Sequence, residues 1–121
     1  MTISVKYATI IVRDMEESIK FYSEVMGFKL DSQYYPPIEG TMITLMKGQT
    51  GAMVELIKNS AYEVGFYSVG MEVEDLETTL EELKNKGAKI IGEIMPTLVG
   101  KLAFIEDPNG VKIALIEHDK K

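Results

Sequence analysis

Two stretches of this chain, residues 8–30 and residues 69–91, follow the same pattern. The first reads ATIIVRDMEESIKFYSEVMGFKL and the second reads VGMEVEDLETTLEELKNKGAKII. Each contains an apolar strand-like run, an Asp, an amphipathic helical segment, a Gly and another strand-like run. Asp14 thus corresponds to Asp75, and Gly27 to Gly87. Self-similarity on this scale is typical of a duplicated supersecondary unit, so the repeat predicts two copies of one module.

Each module is predicted to follow the order β-α-β-β-β. An Asp caps the first free N–H groups of each helix, and a Gly ends it. The first helix is predicted to bury one face, formed by Met15, Ile19, Tyr22 and Met26 and widened by Phe21 and Val25. The second is predicted to bury the stripe of Leu76, Leu80 and Leu83. The run Asp107-Pro108-Asn109-Gly110 predicts a type I turn that makes the last two strands a hairpin.

The composition excludes several classes of protein. The chain has 121 residues, enough for a hydrophobic core, and no cysteine, which excludes disulfides and thiolate metal sites. A net charge of -6 disfavours a nucleic-acid or anionic-membrane partner, because either would repel the protein. The first residues, MTISVKYATII, lack the charged lead and the long apolar core of a signal peptide. We therefore expect a cytoplasmic protein with neither a nucleic-acid nor a membrane partner.

Three segments together resemble the vicinal oxygen chelate superfamily, which includes glyoxalase I, bleomycin-resistance proteins and extradiol dioxygenases. They are VRDMEESIKFYSEVMGFKL, VEDLETTLEELKNKGAKI and EDPNGVKIALIE. The resemblance implies an α+β fold in which two βαβββ modules form a curved mixed sheet around a cavity. It also implies a frequent homodimer. We expect a single domain over residues 1–121, with the first module at about 1–58 and the second at about 65–121.

The resemblance also places four metal-ligand positions, on the first and last strand of each module. In this sequence those positions hold Tyr7, Glu55, Ser68 and Ala114. One carboxylate cannot hold a divalent ion against water, a phenol stays protonated near neutral pH, and Ala supplies no ligand. We therefore expect no cofactor. The alternative is a rearranged site for Zn, Ni, Fe or Mn in which Glu55 is joined by Tyr7, Glu72 or His118.

Strand alternation predicts a mostly apolar pocket wall with a few polar groups, which suits an aromatic or cationic ligand. The predicted ligand-binding residues are Tyr7, Thr9, Met53, Glu55, Ser68, Glu72, Lys112, Ala114, Tyr34 and Tyr35. Several methionines, among them Met42, Met46, Met53 and Met71, are interpreted either as an adaptable pocket lining or as core fillers. Tyr34 and Tyr35 either stack on a ligand or anchor their loop. His118, the only histidine, either joins the pocket face or is a solvated tail residue.

This pattern favours two functions over a third, a structural or regulatory dimer with no ligand. The vacated metal positions favour a metal-independent small-molecule binding protein of the bleomycin-resistance type, which would act by sequestration. The alternative is a glyoxalase-like lyase, isomerase or dioxygenase with Glu55 as a general base. Burial without a metal would disfavour the charged form of Glu55, so it needs a partner, for which Tyr7, Lys112 or a cationic ligand are the candidates.

Overall fold

A computed structural model describes residues 2–119 of the chain. The elements run in the order β1 Ile3–Val12, α1 Met15–Lys20, a π-helical segment Phe21–Val25, β2 Lys29–Tyr34, β3 Met42–Lys47, β4 Met53–Lys58, β5 Gly65–Val73, α2 Leu76–Asn85, β6 Lys89–Thr97, β7 Gly100–Glu106 and β8 Lys112–His118. The α+β class and the twice-written β-α-β-β-β order are confirmed. No helix among the described residues is long and apolar enough to cross a membrane.

The chain divides into two compact units, one of which holds Tyr7–Tyr67 and the other the residues on either side. Four strands of the first unit are ordered β2-β3-β4-β1, and four strands of the second are ordered β5-β8-β7-β6. Within each unit the first strand of the module pairs in parallel with its last strand, β1 with β4 and β5 with β8. The other pairs are antiparallel, as the short connections between them require.

Both helices begin as the repeat predicts. The Glu17 backbone N–H donates to Asp14 Oδ1 at 3.0 Å, and the Thr78 backbone N–H donates to Asp75 Oδ1 at 3.0 Å. In the first unit Val12, Met15, Met46 and Leu56 form the buried cluster between helix and sheet. In the second unit Val73, Leu76, Ala103 and Leu115 do so, and Leu80 and Leu83 pack against them.

The first helix departs from the predicted face. Its second half is π-helical, with the Met26 N–H donating to the Phe21 carbonyl at 3.2 Å, five residues back. The wider turn carries later residues out of register with the core, because the buried stripe assumed α-helical spacing. Phe21, Val25 and Met26, which were predicted to be buried, are therefore exposed.

The turn between β7 and β8 has the predicted geometry. The Gly110 N–H donates to the Asp107 carbonyl at 3.0 Å, and Asp107 Oδ1 accepts from the backbone N–H groups of Asn109 and Val111, both at 2.8 Å. These backbone donors stabilise the carboxylate, so the pKa of Asp107 lies below its ordinary value. The predicted hairpin is confirmed.

Candidate functional site

Glu55 lies on the face of β4 that points away from α1. Its neighbours across the sheet are Thr9 on β1 and Leu45 on β3. Thr9 Oγ1 donates a hydrogen bond to Glu55 Oε1 at 2.7 Å. Thr9 itself is only 2% exposed, so the bond is shielded from water. The structure therefore gives the carboxyl a buried hydroxyl donor, which the sequence had assigned only to the pocket wall.

Burial dominates the electrostatics of this carboxyl. Removal from water raises the pKa of Glu55 above its ordinary value of 4.5, and the hydrogen bond from Thr9 opposes part of that rise. The direction follows because desolvation penalises the charged form more than one hydroxyl donor stabilises it. A carboxyl of this kind accepts a proton more readily than an exposed glutamate does.

The other residues on this face of the first unit are largely apolar. Tyr7 and Met53 were predicted to share this face; they lie opposite each other on β1 and β4, and both are half-buried. Tyr34 also belongs to this face, since it pairs with Ile43, which pairs in turn with Ile57. Tyr35 follows the strand and is 68% exposed, so the structure separates the two tyrosines that the sequence treated together.

Sequence reasoning missed the contribution of β2 and β3 to this face. Leu45 and Ile43 flank β4, and Ser32 pairs with Leu45 beyond an irregularity in β2. The alternation of side chains along residues 42–47 could have placed Leu45 and Ile43 on this face. The shift in register between Leu30 and Ser32 has no sequence marker that we recognise.

The corresponding face of the second unit carries small side chains at its centre. Gly70 pairs with Ala114, and both are buried, as is Ser68 at 2% exposure. Phe104 lies opposite Ala114 on β7, and Lys112 Nζ is 5.3 Å from the centroid of the Phe104 ring. Phe104 was not among the predicted site residues. The structure thus places Ser68 and Ala114 on one face, as predicted, with an aromatic residue beside them.

Glu72 and His118 form a pair at one end of this second face. His118 Nδ1 and Glu72 Oε2 are 2.5 Å apart, and both side chains are partly exposed. His118 is therefore a paired, partly exposed residue on the face predicted by its parity, and its part in a site stays a prediction.

Most of the four methionines interpreted either as pocket lining or as core fillers pack in the core. Met46 is fully buried under the first helix, and Met42 packs against the same cluster. Met71 packs against the cluster of the second unit. Met53 alone among these four lies on the Glu55 face.

The residues at the four family positions do not fit the metal that the resemblance implies. Glu55 is the only carboxylate or imidazole among Tyr7, Glu55, Ser68 and Ala114. Within residues 2–119, no three His, Asp or Glu side chains gather in a way that could hold a metal ion. Divalent transition metals in proteins need three or four such ligands. The four family positions of this chain therefore do not form a metal site.

Comparison with known proteins gives three findings. The family model described as Glyoxalase/Bleomycin resistance protein/Dioxygenase superfamily matches residues 4–115. A "Probable lactoylglutathione lyase" from Synechocystis sp. is 33% identical over 95% of both chains. A "Lactoylglutathione lyase" from Haemophilus influenzae is 33% identical over 88% of this chain and 87% of its own length.

Solved structures share the fold at lower identity. A methylmalonyl-CoA epimerase from Mycobacterium tuberculosis superposes with a TM-score of 0.83 at 20% identity, covering 97% of this chain and 89% of that one. A hypothetical protein from Bacillus halodurans gives a TM-score of 0.86 at 18% identity over 100% and 98% of the two chains. At these identities the likeness shows the fold alone.

These relatives correct two expectations. Proteins that match along nearly the whole chain are named as enzymes, so the predicted metal-independent binding protein is wrong and the enzyme alternative is favoured. The expectation of no cofactor is contradicted by the same names, because the resemblance implies a divalent metal in glyoxalase I-like members. The four family positions of this chain, which hold Tyr7, Glu55, Ser68 and Ala114, lack the set of metal ligands that the resemblance implies.

Proposed function

Because the chain belongs to the glyoxalase/bleomycin resistance protein/dioxygenase superfamily, we propose that it is a lyase or isomerase that moves a proton on the carbon beside a thioester carbonyl. Lactoylglutathione and methylmalonyl-CoA, the compounds in the names of its relatives and structural neighbours, are both thioesters. In each compound the carbon next to the thioester carbonyl bears hydrogen. The observation that carries the proposal is the hydrogen bond between the buried Thr9 hydroxyl and the Glu55 carboxyl on a largely apolar face. Burial also raises the pKa of Glu55.

Glu55 is the proposed general base. A base works best when its pKa lies near the operating pH, and burial moves this carboxyl in that direction. The Thr9 hydroxyl fixes Oε1, which leaves Oε2 as the oxygen for proton transfer. The apolar side chains of Leu45, Met53 and Ile57 share this face with the carboxylate and reduce its contact with water.

Three further predicted site residues of the first unit form the proposed substrate wall. They are Tyr7, Met53 and Tyr34, whose half-buried side chains share the Glu55 face. For the second unit, the predicted residues Ser68, Ala114 and Lys112 stay a separate prediction about that unit's own face, where small side chains lie beside Phe104. An apolar wall with a few polar groups is typical of a small-molecule site.

Deuterium exchange tests the proposal directly. S-Lactoylglutathione and methylmalonyl-CoA are incubated with the protein in D2O, and loss of the proton beside the carbonyl is followed by NMR. The assay is run with and without added Ni²⁺, Zn²⁺, Mn²⁺ or Fe²⁺. We expect Glu55→Gln to slow the exchange about 10²- to 10⁴-fold, as removal of a general base does.

Glu63→Gln is the matched control, because Glu63 is an exposed carboxylate of the same unit. We expect it to exchange at the wild-type rate. Absence of exchange with either thioester under every metal condition would overturn the proposed reaction. Full activity in Glu55→Gln would overturn the role of Glu55 alone.

We also propose a homodimer that acts on a small-molecule substrate. The resemblance supports it, since many small members complete their cavity between two chains. Sedimentation equilibrium of the purified protein would settle its assembly. The cytoplasmic location expected from the sequence stays a prediction, which cell fractionation would test.

A further inference from the structure

Two lysines lie side by side at one end of the Glu55 face of the first unit. Lys29 on β2 pairs directly with Lys47 on β3, and Lys47 pairs in turn with Met53 on β4. Residues that pair across neighbouring strands point to the same side of a sheet, and Met53 belongs to the Glu55 face. Both lysines therefore share that face, and both are exposed.

The two positive charges are not neutralised within the described part of the chain. Like charges placed directly opposite each other on two strands are destabilising. Within residues 2–119, no carboxylate lies within ion-pair distance of the ammonium group of Lys29 or Lys47. Asp31, the acidic residue of β2, instead accepts a hydrogen bond from Ser32 Oγ at 3.2 Å. In a chain of net charge -6, the pair is therefore a local positive charge that a bound anion would neutralise.

The lysine pair lies within reach of the proposed base. Lys47 follows Leu45 by two residues on β3, and Leu45 pairs with Glu55. One strand across and two residues along correspond to about 8 Å between the Cα atoms of Lys47 and Glu55. Half-buried Met53 lies beside Lys47 and two residues before Glu55, which gives an apolar surface between the charges. A substrate whose reacting carbon lies at Glu55 can therefore extend a charged group to the lysines.

We propose that Lys29 and Lys47 bind an anionic group of the substrate and thereby determine which thioesters the Glu55 face accepts. The inference rests on the proposed function, because it takes the Glu55 face as the substrate face. A lysine ammonium group is a compact charge with three donors, and it binds carboxylates and phosphates alike. Both lysines are specificity-determining residues that contact the substrate away from its reacting atoms, and proton transfer remains the part of Glu55.

Binding of two unreactive compounds tests the site. S-Hexylglutathione carries carboxylates and coenzyme A carries phosphates, and neither contains a thioester, so their binding requires no proton transfer. We expect at least one of them to bind, with an affinity that falls as NaCl is raised, because salt screens exposed charges. Lys29→Gln and Lys47→Gln are each expected to weaken that binding about 2- to 5-fold, as loss of an exposed ion pair does. Calorimetry measures the affinities, and the compound that responds identifies the anion.

Lys58→Gln is the matched control, because Lys58 is an exposed lysine of the same unit on the opposite face of β4, where it pairs with Val12 and Met42. We expect it to bind as the wild type does, and we expect Lys47→Arg to retain binding. An equal loss in Lys58→Gln would attribute the effect to net charge and overturn the site. Binding of neither compound, or unchanged binding in both Lys29→Gln and Lys47→Gln, would also overturn it.

Stability separates a binding role from a structural one. Removal of either charge relieves repulsion, so Lys29→Gln and Lys47→Gln are expected to unfold at a urea concentration equal to or above that of the wild type. A loss of stability that accompanies the loss of binding would overturn the proposal. Deuterium exchange by Glu55 is a separate measurement. It can persist when neither compound binds, and its absence leaves the binding result unchanged, so the two proposals fail separately.

Discussion

Two partly buried carboxyl groups in this chain are distinguished by the atom that each one meets. Glu55 accepts a hydrogen bond from the Thr9 hydroxyl, which adds no charge, so desolvation dominates and the pKa of Glu55 is raised. Glu72 meets an imidazole ring, which pairs with it and is in turn oriented by it. Chemically similar side chains therefore have different partners, a hydroxyl for Glu55 and an imidazole for Glu72.

Removal of the Thr9 hydroxyl tests this assignment at the level of single atoms. In Thr9→Val the bond that lowers the pKa of Glu55 is lost, so we expect that pKa to rise further. The acid limb of the pH–rate profile for exchange should move to higher pH. Loss of the donor to a buried acceptor should also lower the free energy of unfolding by about 1 to 3 kcal/mol.

Thr9→Ser is the matched control, since it keeps the hydroxyl. It should retain the position of the acid limb. If Thr9→Val leaves the limb where it is in the wild type, the hydrogen bond does not act on the base. Urea titration of both variants measures the change in stability.

At this scale the sequence identified Glu55 but did not predict its hydrogen bond with Thr9, which lies directly across from Glu55 on the adjacent strand. The candidate partners had been Tyr7, Lys112 or a cationic ligand, and these stay predictions. Which residues face each other across two strands depends on register, and register between strands so far apart in sequence is fixed by tertiary packing. For the same reason parity placed Glu72 and His118 on one face without predicting their contact.

The two helices show which features of the secondary structure are common to the two modules. Both begin with an Asp cap that accepts from the backbone N–H three residues later, at 3.0 Å in each case. Only α2 remains α-helical, and the π-helical segment after α1 exposes side chains that the pattern predicted to be buried. The two modules thus share the way in which their helices begin but differ in the conformation of the residues that follow.

A pair of truncations separates the two helical bodies. Leu76→Ala should lower the free energy of unfolding by about 2 to 5 kcal/mol, because Leu76 is fully buried in its cluster. Val25→Ala in the π-helical segment should change it by less than about 0.5 kcal/mol, because Val25 is 70% exposed. Denaturant unfolding compares them. Equal losses would show that the π-helical segment is buried in solution, for example between two copies.

Strand order was predictable because alternation and turn residues mark strands locally, and the observed elements follow the predicted β-α-β-β-β order in each module. The π-helical segment was not predictable, since Phe21, Val25 and Met26 fit an amphipathic α-helix as apolar residues. Their exposure reflects backbone geometry that the pattern does not encode. The predicted faces agree with the strand pairing for β1 with β4 and for β5 with β8, whereas the contributions of β2 and β3 were missed.

For the whole molecule, the repeat predicted the order of the elements, and the three segments that resemble the superfamily indicated the fold and the family. They were not sufficient for function. The vacated positions at Tyr7, Ser68 and Ala114 suggested a binding protein, whereas relatives along nearly the full length are named as enzymes. The four family positions define only one arrangement of site residues on this fold. The same fold can place functional residues at other positions. The division into modules at about 1–58 and 65–121 of one domain stays a prediction.

The raised pKa of Glu55 also affects the stability of the whole protein. The native state holds this proton to higher pH than the unfolded chain does, so the contribution of Glu55 to stability is fully present below its ordinary pKa of 4.5. That contribution is lost as pH rises through the native pKa. Glu55→Gln keeps an acceptor for Thr9 but cannot ionise. It should therefore gain stability relative to wild type as pH rises and show no such gain below pH 4.5.

Urea unfolding of both proteins across the pH range measures this difference. Glu63→Gln, which changes an exposed carboxylate, should follow the wild-type curve throughout. A gain for Glu55→Gln that is the same at every pH would contradict a raised native pKa.

The parallel pairing of first and last strands has a consequence for the order of folding. Thr9 with Glu55, and Glu72 with His118, are each 46 residues apart in sequence, and each pair joins the two parallel strands of its own module. The antiparallel strands of a module can pair across short loops. Parallel pairing of its first and last strands must instead close the long loop formed by all the residues between them. We therefore expect hairpins to assemble early and both polar pairs to form late, at similar cost in chain entropy. A newly made molecule would complete most of its scaffold before either pair came together.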